Sequence, residues 1–537
     1  MTSNNSVDTA HDGVAYINGS VYTMNTSSPW ATAFIVSAKG VFTHVGNNDE
    51  VQSIAKEYHM VTVDLRGKFA MPGIHDAHMH LLFSGLGLTC GANIGMDSTH
   101  LNIASKIKEG SCACEYINVY QDWLLAAAYS NDGFPDKVAD RKYLDELFPD
   151  TPVVVQGGAA HAMLLNTAAL KRSGYDIENE PDAHGAKFFR RPDGSLTGEL
   201  GEAAMSKAAL SIPLPNRAHI KRILKHAIQL CHKAGVTSTQ EASSNTLLLQ
   251  ALSEMENEGS LHMNICTHIV HGCEWLASES KESLTTLVDS AEQYQSKHID
   301  TRFIKIMLDG VPLPPLYTHA ELDEHGHVEH EHIVTPDVAE AVLKYDKAGK
   351  TVKIHCTGRG STRLALDAIE AARQSNPGGP RHEIAHNSSV HDDDYKRYLP
   401  LNVTAEMSPA ELFVHPVTAA NSQNMNWDFP MMMDAQAHIT IGSDWGAVPD
   451  PSLFEAMGKI VETVGRGDKV KGGETLCHWM TLNGAIAVEK DKEVGSIEVG
   501  KRANFIVTDR DLAKGDFAGA KVLRTYFEGE KVWDAET

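Results

Sequence analysis

Basic residues are scarce in this 537-residue chain: 47 lysines and arginines face 70 aspartates and glutamates, a formal net charge of −23. Such a balance repels a phosphate backbone, and no basic tract is interleaved with aromatics, so nucleic-acid binding is not expected. Long apolar runs are also missing. No window approaches 18 consecutive apolar residues, which argues against a membrane span. Residues 1–15 are polar, with neither a basic start nor an apolar stretch, so the expected location is cytoplasmic. Cysteine is sparse at eight residues, and the only close pair, Cys112 and Cys114, has the spacing of neither a disulfide framework nor a zinc pair. A reducing compartment fits. With 42% hydrophobic and 22% charged residues, the composition is that of a folded globular protein rather than a disordered one.

Histidine, in contrast, is plentiful, with 28 residues. That abundance directs the search toward metal-ligand spacing.

Both ends of the chain read as short β runs separated by turn signals, at Asn18-Gly19, Lys39-Gly40 and Glu528-Gly529. The two ends are expected to share one small sheet domain. Between them the rhythm is helix then strand. Asn216 can cap a helix with Ile220, Ile223, Leu224, Ala227, Ile228 and Cys231 on one face, ending at Gly235 before a strand from Val236. A second unit starts at Thr335-Pro336 and leads into a strand at 351–356, and a third runs from Ser361 to the strand at 383–386. Alternating helices and apolar strands predict a parallel sheet, open or closed into a barrel. Residues 87–215 are rich in Asp, Gly and Pro and read as an irregular insertion. The acidic, histidine-rich tract at 319–332 reads as a solvated loop, with a lid or an adventitious metal site as the other reading.

The strongest local motif is Met71-Pro72-Gly73-Ile74-His75-Asp76-Ala77-His78-Met79-His80. In a strand Asp76, His78 and His80 share a face, and imidazoles two residues apart can chelate one ion. His75 points the other way. His355 and His386 each end an apolar strand, one βα repeat apart, so parallel strands would bring both rings to one end of the sheet. Asp444 ends another such strand, in Ile441-Gly442-Ser443-Asp444, where a carboxylate beside a metal can shuttle a proton. Lys305 lies inside an apolar strand, and a buried ammonium needs an ion pair or a chemistry that removes its charge, such as reaction with carbon dioxide to a carbamate. Gly349-Lys350-Thr351 lacks the first glycine of a phosphate loop, and there is no G-x-S-x-G elbow.

The order of Pro-Gly-x-x-Asp-x-His-x-His, a strand lysine, two strand-end histidines and Ser-Asp resembles the amidohydrolase superfamily. The likeness is closest to its type 3 branch, which includes N-substituted formamide deformylase. That branch's habits also show in His161 followed by Asn166-Thr167-Ala168-Ala169-Leu170, in Asp193-Gly194-Ser195-Leu196-Thr197-Gly198, and in the tail from Gly495 to Asn504.

The resemblance implies an α/β fold: a distorted TIM (β/α)8 barrel with a small composite β-sandwich domain built from both termini, and an insertion after barrel strand 1. The implied divisions are 1–68 and 486–537 for the two parts of the small domain and 69–485 for the barrel, with the insertion at about 87–215. It implies that His78 and His80 bind one divalent ion, zinc being the expected metal, that His355 and His386 bind a second, and that Lys305 is a carboxylated bridge. Asp444 would ligate the metal and act as general acid and base, and His161 would contact substrate. Departures from the branch pattern fall at His75 and at Cys356-Thr357-Gly358, where Ala-x-Gly-Asp is more usual. The implied activity is hydrolysis of a non-peptide C–N bond, an amide or formamide. A mononuclear deaminase or cyclic-amide hydrolase, and a non-catalytic regulatory or binding homologue, are the alternatives. The expected partner is a small-molecule substrate, with neither nucleic acid nor membrane, and a homodimer is compatible with this reading.

Overall fold

A computed structural model describes residues 13–113, 122–157, 160–411, 419–421, 425 and 427–536. Eight strands form one parallel sheet in chain order: β1 Ile74–Met79, β2 Val236–Ser244, β3 Asn264–Val270, β4 Ile299–Met307, β5 Thr351–Cys356, β6 Glu383–His386, β7 Thr404–Met407 and β8 His438–Ile441. The sheet closes beyond the end of β8, where Asp444 N–H donates to the His78 carbonyl and His80 N–H to the Trp445 carbonyl, both at 2.8 Å. Register shifts in β2 and β3 and four-residue strands at β6 to β8 distort the barrel. The C-terminal strand ends therefore converge on one face, as the spacing of the histidines predicts.

The helix before β2, Arg217–Lys233, forms as its periodicity dictates. The Asn216 side chain accepts from His219 N–H, and Ile220, Ile223, Leu224, Ala227, Ile228 and Cys231 are buried. Each larger aliphatic side chain buried this way contributes about 2 kcal/mol. Gly235, at φ +84°, ends the helix in a backbone state that a Cβ would disfavour. The helix before β5 begins later than its sequence suggests, at Val338–Lys347. Thr335 does not cap it, because its hydroxyl donates to the Met307 carbonyl at 2.6 Å and fastens the loop to β4.

The two termini supply a four-stranded and a six-stranded sheet. Phe69–Pro72 lies in the latter, antiparallel to Phe505–Thr508 and parallel to Ser20–Tyr22. Ala33–Ser37 and Phe42–Gly46 make the expected hairpin. Asn18-Gly19 does not: Gly13–Ile17 and Ser20–Tyr22 belong to different sheets, and Asn18, at φ +57°, turns the chain from one to the other.

The insertion is more ordered than its composition suggests. Its strands build a fourth sheet, in which Leu124–Tyr129 and Val153–Gly157 run parallel and Ala162–Leu165, Leu196–Glu202 and Ala186–Arg190 follow antiparallel. Five cysteines, 231, 266, 273, 356 and 477, are buried free thiols, whereas Cys114 and the Cys112 side chain lie outside the described residues. No helix of the described residues is long and apolar enough to cross a membrane.

Candidate metal centre

β1 carries His78 into the barrel mouth, and His80 follows at the start of the next helix, Leu81–Cys90. Asp444 meets them across the closing seam. Its Oδ1 lies 3.2 Å from His80 Nε2 and 3.7 Å from His78 Nε2. His386 stacks beside His78 with ring centroids 4.6 Å apart, and His355 lies 4.6 Å from His386. Lys305 Nζ stands 3.3 Å from His78 Nε2, with the side chain buried. All six candidate ligands thus reach one end of the barrel. Among the described residues three sets bring their ligand atoms within 4.8 Å of one another: His78, His80 and Asp444; His78, His386 and Glu406; and His386, Glu411 and Asp444; His355 belongs to none of these three.

The far nitrogens of these rings are already engaged. His78 Nδ1 donates to the Glu406 carboxylate at 2.9 Å, because a carboxylate can only accept. His80 Nδ1 donates to Ser243 Oγ at 2.9 Å, and that hydroxyl in turn donates to Glu241 at 2.8 Å. Both Nε2 atoms therefore turn lone pairs toward Asp444 Oδ1, a buried oxygen that receives no hydrogen bond. Lys305 Nζ stands against one side of this set, 3.3 Å from His78 Nε2, and two imidazole nitrogens with a carboxylate oxygen are a donor set that fits a divalent ion, with the outer partners that orient metal-bound imidazoles. His386 Nδ1 is held by Glu411 at 3.1 Å, and His355 Nε2 donates to the Gly310 carbonyl at 3.1 Å, leaving its Nδ1 free of that bond.

Burial governs the charges. It pushes His386 down to about 4 and Glu406 up to about 7. Lys305 is pushed down to about 8, first by burial and then by the Lys353 ammonium. For Asp444 burial acts upward, but the imidazoles of His80 and His386 and the Lys305 amine hold it below the usual carboxylate range. Burial and the Asp444 charge push Glu411 well above that range, so Asp444 is the ionised member of the two. Several of these residues hold uncommon backbone: His386, Asn387 and Asp444 have φ of 73°, 52° and 51°. Left-handed non-glycine residues cost energy that the surrounding structure must offset, and they cluster at functional sites.

The ligand candidates open into a cleft of about 720 Å³. His161 lines it, having come from the inserted sheet, and its Nδ1 meets both oxygens of Glu202 at 3.1 and 3.0 Å. Burial would lower the His161 pKa, but the Glu202 carboxylate outweighs it and the net shift is upward. Glu202 itself is buried and strained, at φ 53° and ψ −131°. The histidine-rich tract lies apart from the cleft lining, half-buried to exposed apart from the buried Ala320, and is folded back by a Leu322–Val328 bridge.

Sequence reading missed the carboxylates behind the ligands. Glu406 in Thr404–Met407 and Glu241 in Val236–Ser244 are acids inside strands without a neighbouring cation, the same signal that marks Asp444. Asp76 shares the face of His78, but its Oδ1 accepts the backbone N–H groups of His78 and Ser443 at 3.1 and 3.0 Å, joining β1 to β8. His75 is buried away from the ligands against Ser238 Oγ at 2.9 Å. Asp309 holds the segment after His355, accepting from Thr357 N–H, Gly358 N–H and Ser361 Oγ at 3.1, 3.0 and 2.7 Å.

A family model described as "Amidohydrolase family" matches residues 61–533. The N-substituted formamide deformylase of Arthrobacter pascens is 25% identical over 538 residues, covering 96% of this chain and 97% of its own. The protein LONG AFTER FAR-RED 3 of Arabidopsis thaliana is 22% identical, covering 96% and 91%. Among solved structures, an uncharacterized metal-dependent hydrolase from Pyrococcus horikoshii OT3 matches with a TM-score of 0.71 at 20% identity, over 94% of this chain and 100% of its own, a likeness of fold.

Proposed function

The chain belongs to the amidohydrolase family, and from that premise we propose that it hydrolyses a non-peptide C–N bond, an amide or N-substituted formamide, at a divalent-metal centre held by His78, His80 and Asp444. The observation that carries this reading is the buried Asp444 Oδ1, which receives no hydrogen bond and stands 3.2 and 3.7 Å from two imidazole nitrogens whose rings are fixed from behind. The similarity to a formamide deformylase along the whole chain supports the choice of bond.

A divalent ion in this site, zinc in our reading, supplies Lewis acidity that lowers the pKa of water and polarises a carbonyl. The residues do the rest. His78 and His80 hold their orientation through Glu406 and through Ser243 with Glu241. Asp444, ionised and at the cleft floor, takes the proton released by the attacking water and delivers it to the leaving nitrogen. His161 reaches the cleft from the opposite wall and contacts the substrate. His355 and His386, with Lys305 carboxylated as a bridge, would hold a second ion.

A mononuclear hydrolase or deaminase is the second reading, favoured by the place of His355 outside the tight ligand sets and by its bond to Gly310. Metal content per chain, measured by elemental mass spectrometry on protein purified without added metal, separates the two. About two ions, falling in Lys305→Ala, supports the bridged site; about one, unchanged in that variant, supports the mononuclear one. No bound metal at all, with full activity, would discard the metal centre altogether. Asp444→Asn is expected to lower kcat by at least about a hundredfold, as loss of a general acid and base does. Wild-type turnover in that variant would remove Asp444 from the mechanism.

A further inference from the structure

The charge census of the cleft limits what it can accept. None of the 47 lysines and arginines falls among the undescribed residues, so the place of every permanent cation is known. Only Lys305 lines the cleft. It is buried on the floor, 3.3 Å from His78 Nε2, within the ligand cluster rather than on a wall. His161, an imidazole of the lining, is committed through Nδ1 to the Glu202 carboxylate. Among the described residues the walls include Phe83, Ala160, Met163, Trp275, Leu276 and Met307, with the neutral Gln156 and Ser278 beside them. Phe83 is a large apolar side chain left 39% exposed, and the buried Trp275 Nε1 has no hydrogen-bond partner among the described residues.

An anionic substituent entering this cleft would leave water without gaining a counter-charge, an unfavourable transfer. An apolar one would cover Phe83 and Leu276, and a neutral acceptor could satisfy the Trp275 indole. Resting on the hydrolase reading above, we infer that the substrate is uncharged away from the scissile bond and carries an apolar aryl or branched alkyl group. Substrates bearing a carboxylate or phosphate, N-acyl amino acids included, are disfavoured.

Two matched pairs test this on the metal-loaded enzyme. N-(2-phenylethyl)formamide and N-formylphenylalanine share a skeleton and differ by one carboxylate, and their kcat/KM values are compared. 3-Phenylpropanohydroxamic acid and its para-carboxylate analogue, both metal-chelating, report binding without turnover by calorimetry. The neutral member of each pair is expected to be favoured at least about tenfold, the penalty being partial because the cleft is open to water. Leu276→Arg, which adds a wall cation, should narrow or reverse that preference. Equal treatment of the two members, or preference for the carboxylate, overturns this inference while leaving the hydrolase reading intact. Binding of neither hydroxamate together with turnover of neither formamide overturns both.

Discussion

At the scale of single residues, the site is defined by what stands behind each imidazole. A histidine offers one ring nitrogen to a metal best when the other is oriented, and the side chains of Glu406, Glu411 and Ser243 hold the far nitrogens of the candidate ligands His78, His386 and His80. Glu406 serves two candidate ligands at once, since its Oε2 also accepts His386 N–H at 3.2 Å. Replacing Glu406 by Gln keeps the volume but removes the charge that fixes the His78 tautomer. Metal affinity, titrated with a competing chelator, should fall about 10- to 100-fold. An unchanged affinity would show that His78 needs no such support. The histidines were legible because His78 and His80 alternate along a strand behind a Pro-Gly turn, and His355 and His386 end apolar strands one βα repeat apart. Glu406 was not, because one acid in a four-residue strand carries no spacing signal.

At the scale of elements, the ligand-bearing strands are fastened to one another below the site. The Lys353 side chain on β5 donates to the Ala77 carbonyl of β1 and pairs with Glu383 of β6 at 3.1 Å, all three fully buried. The ion pair thus lies two residues before His355 and three before His386. Losing one partner leaves an unpaired buried charge, so Lys353→Met should destabilise by about 3–5 kcal/mol in urea unfolding, whereas Lys353→Met with Glu383→Leu should recover most of it. A single variant as stable as wild type would contradict the ion-pair account.

A second fastening joins the helices flanking β5. Asp346 accepts from Arg373 at 2.7 Å and Asn376 at 2.7 Å, and meets His382 Nε2 at 3.0 Å. Burial would raise its pKa, but these partners bring it down to about 2. Burial keeps His382 below its usual value, so Arg373 supplies the lasting counter-charge. Because the folded pKa lies below the unfolded one, the contribution is complete above about pH 4 and is lost as pH falls toward 2. Urea midpoints between pH 5 and pH 2.5 should drop less in Asp346→Asn than in wild type; an identical drop would rule this group out as a contributor.

At the scale of the whole molecule, the barrel opens from a strand that belongs to the terminal sheets. Phe69–Pro72 is held by Phe505–Thr508 and leads within two residues into β1 and its ligands. The rings of Phe505 and Tyr526 stack at 4.3 Å, and Tyr16 and Phe34 pack against Phe505 at 5.1 and 5.0 Å. Deleting residues 498–537 strips that aromatic cluster of its C-terminal half. Each large ring left exposed forfeits about 2–3 kcal/mol of burial, so the truncated chain should show no cooperative thermal transition by calorimetry. A wild-type melt would mean that the barrel holds β1 unaided.

The sequence by itself determined the alternation of helix and strand, the His-x-His spacing at His78 and His80 that suits a metal, and the polar residues destined for the strand ends. Each of these is carried by local periodicity or by close spacing, which a single chain displays without reference to its partners. Tertiary structure decided the rest. Asn18-Gly19 carries all the marks of a hairpin turn and instead switches sheets, because the strands competing for its neighbours come from residues far away in the chain. The inserted segment found order by pairing strands whose individual patterns are weak. Glu406, Glu241 and Glu202 became parts of the site only when the folded chain brought them within 3.1 Å of an imidazole or of the serine that orients one. Hydrogen bonds of that kind depend on distances in space, and sequence separation carries no trace of them.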